Sequence, residues 1–254
     1  MEMGLRGKVV VITGAAGGMG RVIAREFASE GARLLLVDIS APDPQDLPGA
    51  EVETMAADLA LPETPAAIVE RAVSRFGAVD VLVNGVGLVH LGKIEDFTRA
   101  DWDRLFDVNL KAVYFLSQAV GRVMLAAGGG AIVNLASIAG TTATPGNTLY
   151  GISKAAVIAL TRQFAVEWGP HGVRCNAVGP GFMTNLMQGL PGRDERAYER
   201  QAGLVPTRRS GTPADVAKAV VFLASDAAGQ VSGETLLVDG GLTKSLLALY
   251  ARAN

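Results

Sequence analysis

The sequence is poor in the residue types that disulfides and metal sites require. Its 254 residues include one cysteine, Cys175, and two histidines, His90 and His171. A single cysteine excludes an intramolecular disulfide and agrees with a reducing compartment. Two histidines this far apart, with one cysteine, do not match the ligand spacing of a zinc site. We therefore expect no metal centre.

Charge and long apolar runs are scarce as well. Charged residues make up 19% of the chain, the formal net charge is -2, and lysine and arginine are scattered, which argues against a nucleic-acid surface. The first apolar run, Val9–Ile12, is far shorter than the ~20 residues of a membrane helix. We expect a soluble, cytoplasmic protein with no nucleic-acid or membrane partner.

Apolar, β-branched runs alternate with helical patterns along the whole chain. Most of these runs are continuous, which is typical of parallel strands covered by helices on both faces. The alternation predicts an α/β fold, namely a single Rossmann-type domain with a doubly wound, mostly parallel seven-stranded sheet. The predicted strands are Lys8–Thr13, Arg33–Asp38, Glu51–Ala57, Val79–Asn84, Ala131–Ala136, Val173–Val178 and Thr235–Val238.

Two helices have capping signals at their N-termini. Thr98 is followed by Asp101, and this pair opens a predicted long helix that runs to Ala127. Thr212 and Asp215 repeat the pattern before a later helix.

A glycine-rich loop follows the first strand and precedes an amphipathic helix. Its sequence is Gly14-Ala15-Ala16-Gly17-Gly18-Met19-Gly20. Glycines let the backbone turn tightly and approach a pyrophosphate, and the helix N-terminus offers free N–H groups. This position favours a dinucleotide site over a simple turn. The loop has no Gly-Lys-Ser/Thr ending, which excludes a nucleotide-triphosphate P-loop.

Two aspartates stand at the ends of the second and third strands. The Asp38 carboxylate can accept both hydroxyls of the adenosine ribose and would repel a 2′-phosphate. Ala15, Ala16 and Ile39 stand where a basic residue would bind that phosphate. These residues favour NAD over NADP. Asp58 either binds the adenine amine or caps a helix.

Tyr150 and Lys154 lie four apart in Thr148–Trp168, which has a helical pattern, so they share a face. An ammonium beside a phenol favours the ionised form, which predicts a Tyr150 pKa below its usual ~10. Such a phenol can serve as the acid/base for an alcohol or a ketone. Ser137, just after the fifth strand, can donate a hydrogen bond to the substrate oxygen.

Two further polar residues have alternative interpretations. Asn109 is a poor helix former inside a predicted helix, so it either bonds the preceding turn and bends the helix or holds a water. His90, in the loop after the fourth strand, is interpreted as a surface residue in preference to a substrate contact.

In their order and spacing these motifs resemble the short-chain dehydrogenase/reductase family, over nearly the whole chain. The resemblance implies one domain, 1–254, with the cofactor half at about 1–135, the catalytic and substrate half at about 136–254 and a lid at about 180–208. The motifs that carry it are Thr13–Gly20, Asp58, Asn109, Ser137, Tyr150–Lys154, Pro180–Thr184, Gly233 and Val238–Gly241.

The resemblance also implies roles for individual residues. Tyr150 would be the acid/base, and Ser137 would orient and polarise the substrate oxygen. Lys154 would bind the nicotinamide ribose and lower the Tyr150 pKa, Asn109 would anchor a water of the proton relay, and Thr184 would contact the nicotinamide amide. Family members are commonly dimers or tetramers, so we expect a homo-oligomer, with a tetramer favoured. Further predicted cofactor contacts are Leu59, Asn84, Gly85 and Pro180.

One departure from the family pattern lies after the fourth strand. The family usually has Asn-Asn-Ala-Gly there, whereas this chain has Asn84-Gly85-Val86-Gly87. The second amide is lost, so we expect an altered wall on the nicotinamide side and unchanged chemistry.

The predicted substrate side is apolar and has no cluster of arginine or lysine. We therefore predict an NAD(H)-dependent carbonyl reductase or alcohol dehydrogenase that interconverts a secondary alcohol and a ketone of a small neutral molecule. One alternative is a 3-oxoacyl thioester reductase of lipid metabolism, and a non-enzymatic one is a dinucleotide-sensing binding protein. The apolar positions are Phe182, Met183, Leu186, Met187 and Leu190 in the lid, and Val89, Leu91, Ile138, Ala143 and Pro145 near the pocket mouth.

Overall fold

The structure is a computed structural model that describes residues 3–184 and 202–245. Seven strands form one sheet in the order β3-β2-β1-β4-β5-β6-β7, and every pairing between them is parallel. The predicted doubly wound sheet is thus confirmed. The strands are β1 (Val9–Thr13), β2 (Arg33–Asp38), β3 (Val52–Ala56), β4 (Val81–Asn84), β5 (Gly130–Leu135), β6 (Val173–Pro180) and β7 (Thr235–Val238).

Five predicted strands, the first and the third to sixth, are wrong at their ends by one or two residues. Apolar character sets the predicted ends, whereas backbone pairing sets the observed ones. At the start of β4, for example, the apolar run begins at Val79, but the strand begins at Val81. The Asp80 carboxylate accepts the Val9 N–H at 2.7 Å. This side chain therefore binds the backbone of β1 at the point where the pairing of β1 with β4 begins.

Six α-helices cover the two faces of the sheet in the described part of the chain. Both predicted capping boxes are present, at Thr98 with Asp101 and at Thr212 with Asp215. The predicted long helix to Ala127 is present as one unbroken run from Arg99, and the π-helical turn Asp107–Lys111 divides it into two α-helical parts. The helices are α1 (Gly18–Ser29), α2 (Thr64–Phe76), α3 (Arg99–Phe106), α4 (Ala112–Ala127), α5 (Thr148–Trp168) and α6 (Pro213–Ala224).

Alternate residues of the buried strands supply two apolar layers. Val10 and Ile12 of β1 pack with α1 and α6, whereas Val9 and Val11 pack with α2, α4 and α5. Each fully buried side chain of this size stabilises the fold by roughly 1.5–3 kcal/mol. No helix in the two described ranges is long and apolar enough to cross a membrane.

The strand order reverses at β1, which lies between β2 and β4. In sheets of this kind ligands bind outside the carboxyl ends of the strands at that reversal. The loops after β1, β2, β4 and β5 meet there. The predicted lid residues Leu186, Met187 and Leu190 lie outside the described residues.

Candidate active site

The loop after β1 forms a tight glycine cradle in which a side chain on Gly14 or Gly20 would clash with neighbouring backbone. Gly14 has a φ of +70°, and a Cβ on it would lie 2.9 Å from the Gly85 backbone. A Cβ on Gly20 would overlap the Gly14 carbonyl oxygen. Gly17 is the N-cap of α1, and Met19 is buried in its first turn. The cradle and the helix N-terminus together fit a pyrophosphate.

Asp38, at the end of β2, holds this loop. Its Oδ2 accepts the Ala16 N–H at 2.9 Å and its Oδ1 accepts the Ile39 N–H at 2.7 Å. Each carboxylate oxygen can accept a second hydrogen bond, so the ribose role predicted for Asp38 fits. Arg21 donates from Nε to the Ala16 carbonyl at 3.0 Å. Sequence reasoning missed Arg21, because an exposed arginine after a glycine-rich loop carries no signal of its own.

Asp58 and Leu59 lie in the turn between β3 and α2. Asp58 Oδ1 accepts the Ala60 N–H at 2.9 Å, and its backbone oxygen accepts the Thr64 hydroxyl at 2.6 Å. The interpretation of Asp58 as a helix cap is wrong, because the N-cap of α2 is Glu63 and these bonds lie within the turn; the adenine contact stays a prediction. Leu59 is buried in the apolar layer that contains Val37.

The Asn84 side chain points into the protein core. Its Nδ2 donates to Ser117 Oγ at 2.9 Å and to Asn134 Oδ1 at 2.8 Å. Asn134 continues this chain of bonds to Thr161 of α5 at 2.9 Å. Any contact of Asn84 with a cofactor would therefore come from its backbone, and its side chain joins β4, β5, α4 and α5.

Tyr150, Ser137 and Lys154 meet beside the end of β5. Lys154 Nζ lies 5.8 Å from the centroid of the Tyr150 ring, and the Ser137 side chain lies close enough to the Tyr150 phenol to lower its pKa. Ser137 Oγ also accepts the Ala139 N–H at 3.2 Å. Lys154 Nζ donates to the Leu135 carbonyl at 2.8 Å. The structure thus brings the three predicted residues together and adds a backbone oxygen that the sequence did not indicate.

The lowered pKa predicted for Tyr150 is wrong in its direction. Burial raises the pKa of Tyr150 above its ordinary 10.0, and the nearby Ser137 side chain offsets only part of this rise. Burial also lowers the pKa of Lys154 to about 8. Because burial disfavours charge on both groups, Tyr150 is a neutral phenol at neutral pH and can donate a proton.

Asn109 is fully buried in the π-helical turn between α3 and α4. Its Oδ1 accepts the Leu88 N–H at 2.7 Å, and its Nδ2 donates to the Leu88 carbonyl at 2.9 Å and to Ser153 Oγ at 3.1 Å. The interpretation that Asn109 bonds its own preceding turn is therefore wrong. Its side chain fixes the loop after β4 against α5, and its role in a water relay stays a prediction. Turns of this type are frequent at functional sites.

The loop after β4 also carries Val89, His90 and Leu91, the candidate residues near the substrate. The Gly92 N–H donates to the Gly146 carbonyl at 3.0 Å, which joins this loop to the segment before α5. Val89 and Leu91 are 60% and 44% exposed. His90 Nδ1 lies 3.4 Å from Asp101 Oδ1, so the ring faces α3, as expected for a surface histidine.

Hydrogen bonds hold the first residues of the predicted lid in place. β6 ends at Pro180, and the Gly181 N–H donates to the Val238 carbonyl at 3.0 Å. Thr184 donates to the Gly211 carbonyl from its N–H at 2.8 Å and from its hydroxyl at 3.1 Å.

Among residues 3–184 and 202–245, no group of three or more His, Cys, Asp or Glu side chains could hold a metal ion.

Sequence comparisons identify relatives over the whole catalytic region. A family model described as enoyl-(acyl carrier protein) reductase matches residues 14–243. D-threitol dehydrogenase of Mycolicibacterium smegmatis is 39% identical, over 94% of each chain. A 3-oxoacyl-(acyl-carrier-protein) reductase of Thermotoga maritima is 38% identical, over 94% of this chain and 99% of that one. An NAD-dependent glycerol dehydrogenase of Listeria innocua is 34% identical, over 95% and 96%.

Solved structures agree with these relatives. A putative short-chain alcohol dehydrogenase from Sinorhizobium meliloti matches with a TM-score of 0.90 and 33% identity, covering 97% of this chain and all of that one. A gluconate 5-dehydrogenase from Burkholderia cenocepacia, solved with NADP and tartrate, matches with a TM-score of 0.88 and 31% identity, covering 96% and 98%. The chain therefore belongs to the short-chain dehydrogenase/reductase family and is an oxidoreductase that acts on CH–OH groups.

Proposed function

We propose that the protein is an NAD(H)-dependent oxidoreductase that interconverts a secondary alcohol and a ketone of a small neutral substrate. The observation that carries the proposal is the placement of Tyr150. It is a neutral phenol beside Ser137, with the Lys154 ammonium 5.8 Å from its ring. The segment after β4 joins this group to the glycine-rich loop, because a Cβ on Gly87 would lie 3.2 Å from Lys154 Nζ.

Each catalytic side chain has a defined part in proton transfer. In ketone reduction Tyr150 donates its phenolic proton to the substrate oxygen, and in alcohol oxidation it takes that proton back. Ser137 donates a hydrogen bond to the same oxygen and holds it in line. Lys154, fixed on the Leu135 carbonyl, stabilises the phenolate that Tyr150 leaves. The bound dinucleotide supplies or accepts the hydride.

The proposed cofactor is NAD, and Asp38 is the deciding residue. Its carboxylate faces the loop that would hold the pyrophosphate, where a 2′-phosphate would meet a like charge. The name of the glycerol dehydrogenase relative states NAD dependence, whereas the gluconate dehydrogenase was solved with NADP. The proposed contacts are Gly14, Gly17, Met19 and Gly20 for the pyrophosphate, Asp38 for the ribose, Asp58 and Leu59 for adenine, and Asn84, Gly85, Lys154, Pro180 and Thr184 for the nicotinamide half.

The proposed substrate is a neutral ketone or alcohol. Val89 and Leu91 present apolar side chains beside the site. The alternative, a 3-oxoacyl thioester reductase, has support from the Thermotoga maritima relative. An acidic carrier protein would need a basic surface. In the one arginine doublet, Arg208-Arg209, the Arg209 guanidinium already donates to the Asp215 carboxylate from both Nη atoms, which argues against this alternative. Family membership and the presence of the whole catalytic set argue against a sensing protein without turnover.

We also propose a single functional domain, 1–254, divided as the resemblance implies, that assembles into a cytoplasmic homo-oligomer, with a tetramer favoured. Two aromatic side chains on α3 and α4, Trp102 and Phe115, are 44% and 47% exposed. They line a groove of about 490 Å³ with Leu110 and Leu160. Exposed apolar surface of this kind is typical of protein interfaces, and light scattering coupled to size-exclusion chromatography measures the assembly directly.

The first experiment is a substrate and cofactor panel. NADH and NADPH oxidation is followed at the nicotinamide absorbance with neutral ketones, diketones, keto-sugars and an acetoacetyl thioester, and the matching alcohols are tested with NAD and NADP. We expect turnover with NADH on neutral ketones. NADPH-only turnover of the thioester would overturn the proposal and favour the lipid-synthesis alternative.

Tyr150→Phe is the matched test of the mechanism. The variant keeps the ring and loses the phenolic proton, so we expect turnover to fall by about 10²–10⁴-fold while NADH binding stays within about twofold. Near-full activity of the variant across the pH range would exclude Tyr150 as the acid/base.

A further inference from the structure

Ser137 begins a short turn that holds both its side chain and its backbone. The turn is the 3₁₀-helical segment Ile138–Gly140, which we call the serine turn. Ser137 Oγ accepts the Ala139 N–H at 3.2 Å, and the Ser137 carbonyl accepts the Gly140 N–H at 3.0 Å. The direction of the Ser137 hydroxyl therefore depends on where the serine turn lies.

At Gly140 the serine turn lies directly on the backbone of α5. A Cβ on Gly140 would lie 2.7 Å from the Lys154 carbonyl carbon and 2.8 Å from the Ala155 nitrogen. Carbon atoms in ordinary contact are about 3.5–4.0 Å apart. Any residue other than glycine at position 140 would therefore push the serine turn and α5 apart by about 1 Å.

Burial indicates that the serine turn would move and that α5 would not. Val157 and Ile158 of α5 are 1% and 4% exposed and belong to the core. Lys154 Nζ also ties α5 to the end of β5 through the Leu135 carbonyl. By contrast, all three residues of the serine turn are only half-buried. The helix is held from behind by close packing, whereas the turn has solvent on its other side.

We propose that Gly140 is a positioning residue for Ser137, because its bare Cα allows the serine turn to lie on α5 where the Ser137 hydroxyl is beside the Tyr150 phenol. This inference rests on the roles that the proposed function gives to Ser137 and Tyr150. Tyr150 is one helical turn before Lys154 on the same face of α5. The contact of Gly140 with α5 therefore also sets the distance between the two catalytic hydroxyls.

Displacement of Ser137 should affect the chemical step and not cofactor binding. The proposed contacts with the pyrophosphate and the ribose, in the glycine-rich loop and at Asp38, lie on β1, α1 and β2. A side chain at position 140 moves the group that orients the substrate oxygen and leaves those contacts in place. Loss of the fold would instead weaken NADH binding and turnover together.

The test compares Gly140→Ala with Gly169→Ala, which carries the same change where a Cβ meets no atom within 4 Å. The kcat is measured with the ketone of highest turnover in the substrate panel, and the Kd for NADH by its fluorescence. We expect Gly140→Ala to lower kcat about 10- to 100-fold, since a misplacement of about 1 Å has effects of this size. Its Kd for NADH should stay within about twofold, and Gly169→Ala should match the wild type in both measurements.

A double-mutant cycle identifies the residue through which Gly140 acts. Ser137→Ala removes the hydroxyl, so adding Gly140→Ala to it should lower the remaining activity by less than about twofold. Single-turnover oxidation of NADH, with the enzyme in excess, extends the measurement to slow variants. An equal loss in both backgrounds would mean that Gly140 acts through α5, which would overturn the inference.

A crystal structure of Gly140→Ala gives a result that does not depend on activity. The distance between Ser137 Oγ and the Tyr150 phenol oxygen should be about 1 Å longer than in a crystal structure of the wild type. Lys154 Nζ should stay within hydrogen-bond distance of the Leu135 carbonyl. An unchanged distance between the two hydroxyls would contradict the inference.

Thr141→Val tests the serine turn at an exposed position, without a change at α5. The Thr141 hydroxyl donates to the Ile138 carbonyl at 2.9 Å, and valine keeps the shape of threonine but cannot donate. We expect kcat to fall about threefold when Ser137 is present and to stay unchanged in Ser137→Ala. If Gly140→Ala does not fold, this pair decides: no loss, or the same loss in Ser137→Ala, would refute the role of the turn.

The outcomes separate this inference from the function on which it rests. If Gly140→Ala turns over as the wild type does, or loses NADH binding as much as turnover, Gly140 has no positioning role and the proposed function stands. If the wild-type protein turns over no member of the substrate panel with either cofactor, the proposed function is wrong and the role of Gly140 falls with it.

Discussion

Replacing the buried Lys154 with methionine should make the protein more stable at pH 7 and nearly inactive. Lys154 is 4% exposed, and the lowering of its pKa comes from burial. Methionine is an unbranched apolar side chain that fills core space well, so Lys154→Met removes the charge with little change in packing. Activity should fall because the phenolate of Tyr150 would lose its cation.

The size of the effect follows from the pKa of Lys154. A fall from 10.5 to about 8 corresponds to a cost of about 3 kcal/mol for keeping the charge in the folded protein, at 1.36 kcal/mol per unit. The variant also removes the donor to the Leu135 carbonyl, at a cost of about 1 kcal/mol. We therefore expect a net gain of about 2 kcal/mol in the free energy of unfolding at pH 7.

The difference in the free energy of unfolding between Lys154→Met and the wild type should change with pH in one direction. Below pH 8 the wild-type lysine is charged in the folded and the unfolded protein. The folded protein therefore carries the full free-energy cost of burying the charge. Between pH 8 and 10.5 the folded lysine loses its proton first, so the unfolded state binds more protons and wild-type stability rises with pH. The advantage of Lys154→Met should shrink across this window.

Urea unfolding at pH 7 and pH 9.5, at one protein concentration, measures both effects. Lys218→Met is the control, since Lys218 is exposed on α6, and its effect should stay within about 0.5 kcal/mol at both pH values. If Lys154→Met is less stable at pH 7, or if its advantage is the same at pH 9.5, the burial argument is wrong.

Three further predictions follow from other contacts. Asp38→Asn keeps an acceptor for the Ala16 N–H but removes the charge, so the ratio of kcat/KM for NADH over NADPH should fall about 10-fold; an unchanged ratio would contradict the role of the carboxylate. Ketone reduction needs neutral Tyr150 and charged Lys154, so its kcat/KM should be level below pH 8 and fall above it, while alcohol oxidation rises with pH; a reduction optimum above pH 9 would exclude this assignment. A Cβ on Gly121 of α4 would lie 2.7 Å from the Trp168 ring, which stacks on Phe164 at a centroid distance of 4.3 Å. Gly121→Ala should therefore destabilise the protein by about 1–3 kcal/mol. Urea unfolding measures this loss, with Gly169→Ala as the control.

Local signals in the sequence predicted the elements well. The capping pair Thr98 and Asp101 is present as expected, and α5 has the predicted bounds, Thr148–Trp168. Both features depend on residues within one turn or one helix face, so a short stretch of sequence contains the information. The glycine loop was recognisable for the same reason.

Features that depend on distant contacts could not be predicted. Spacing places Tyr150 and Lys154 on one helix face but does not indicate how deeply they lie, and burial reverses the expected shift of the Tyr150 pKa. The π-helical turn at Asn109 depends on its bonds to Leu88, 21 residues away. The inward turn of Asn84 likewise depends on Asn134, 50 residues away.

The reversal of strand order at β1 also has a consequence for how the chain folds. β1 pairs with β2 after one short crossover, but its other partner, β4, is about 70 residues away, with Thr13 opposite Asn84. Closing so large a loop carries a high entropic cost before any contact forms. We expect the β1–β4 pairing to limit the refolding rate, so core truncations in these two strands should slow refolding, whereas equal truncations in β3 or β7 should mainly speed unfolding.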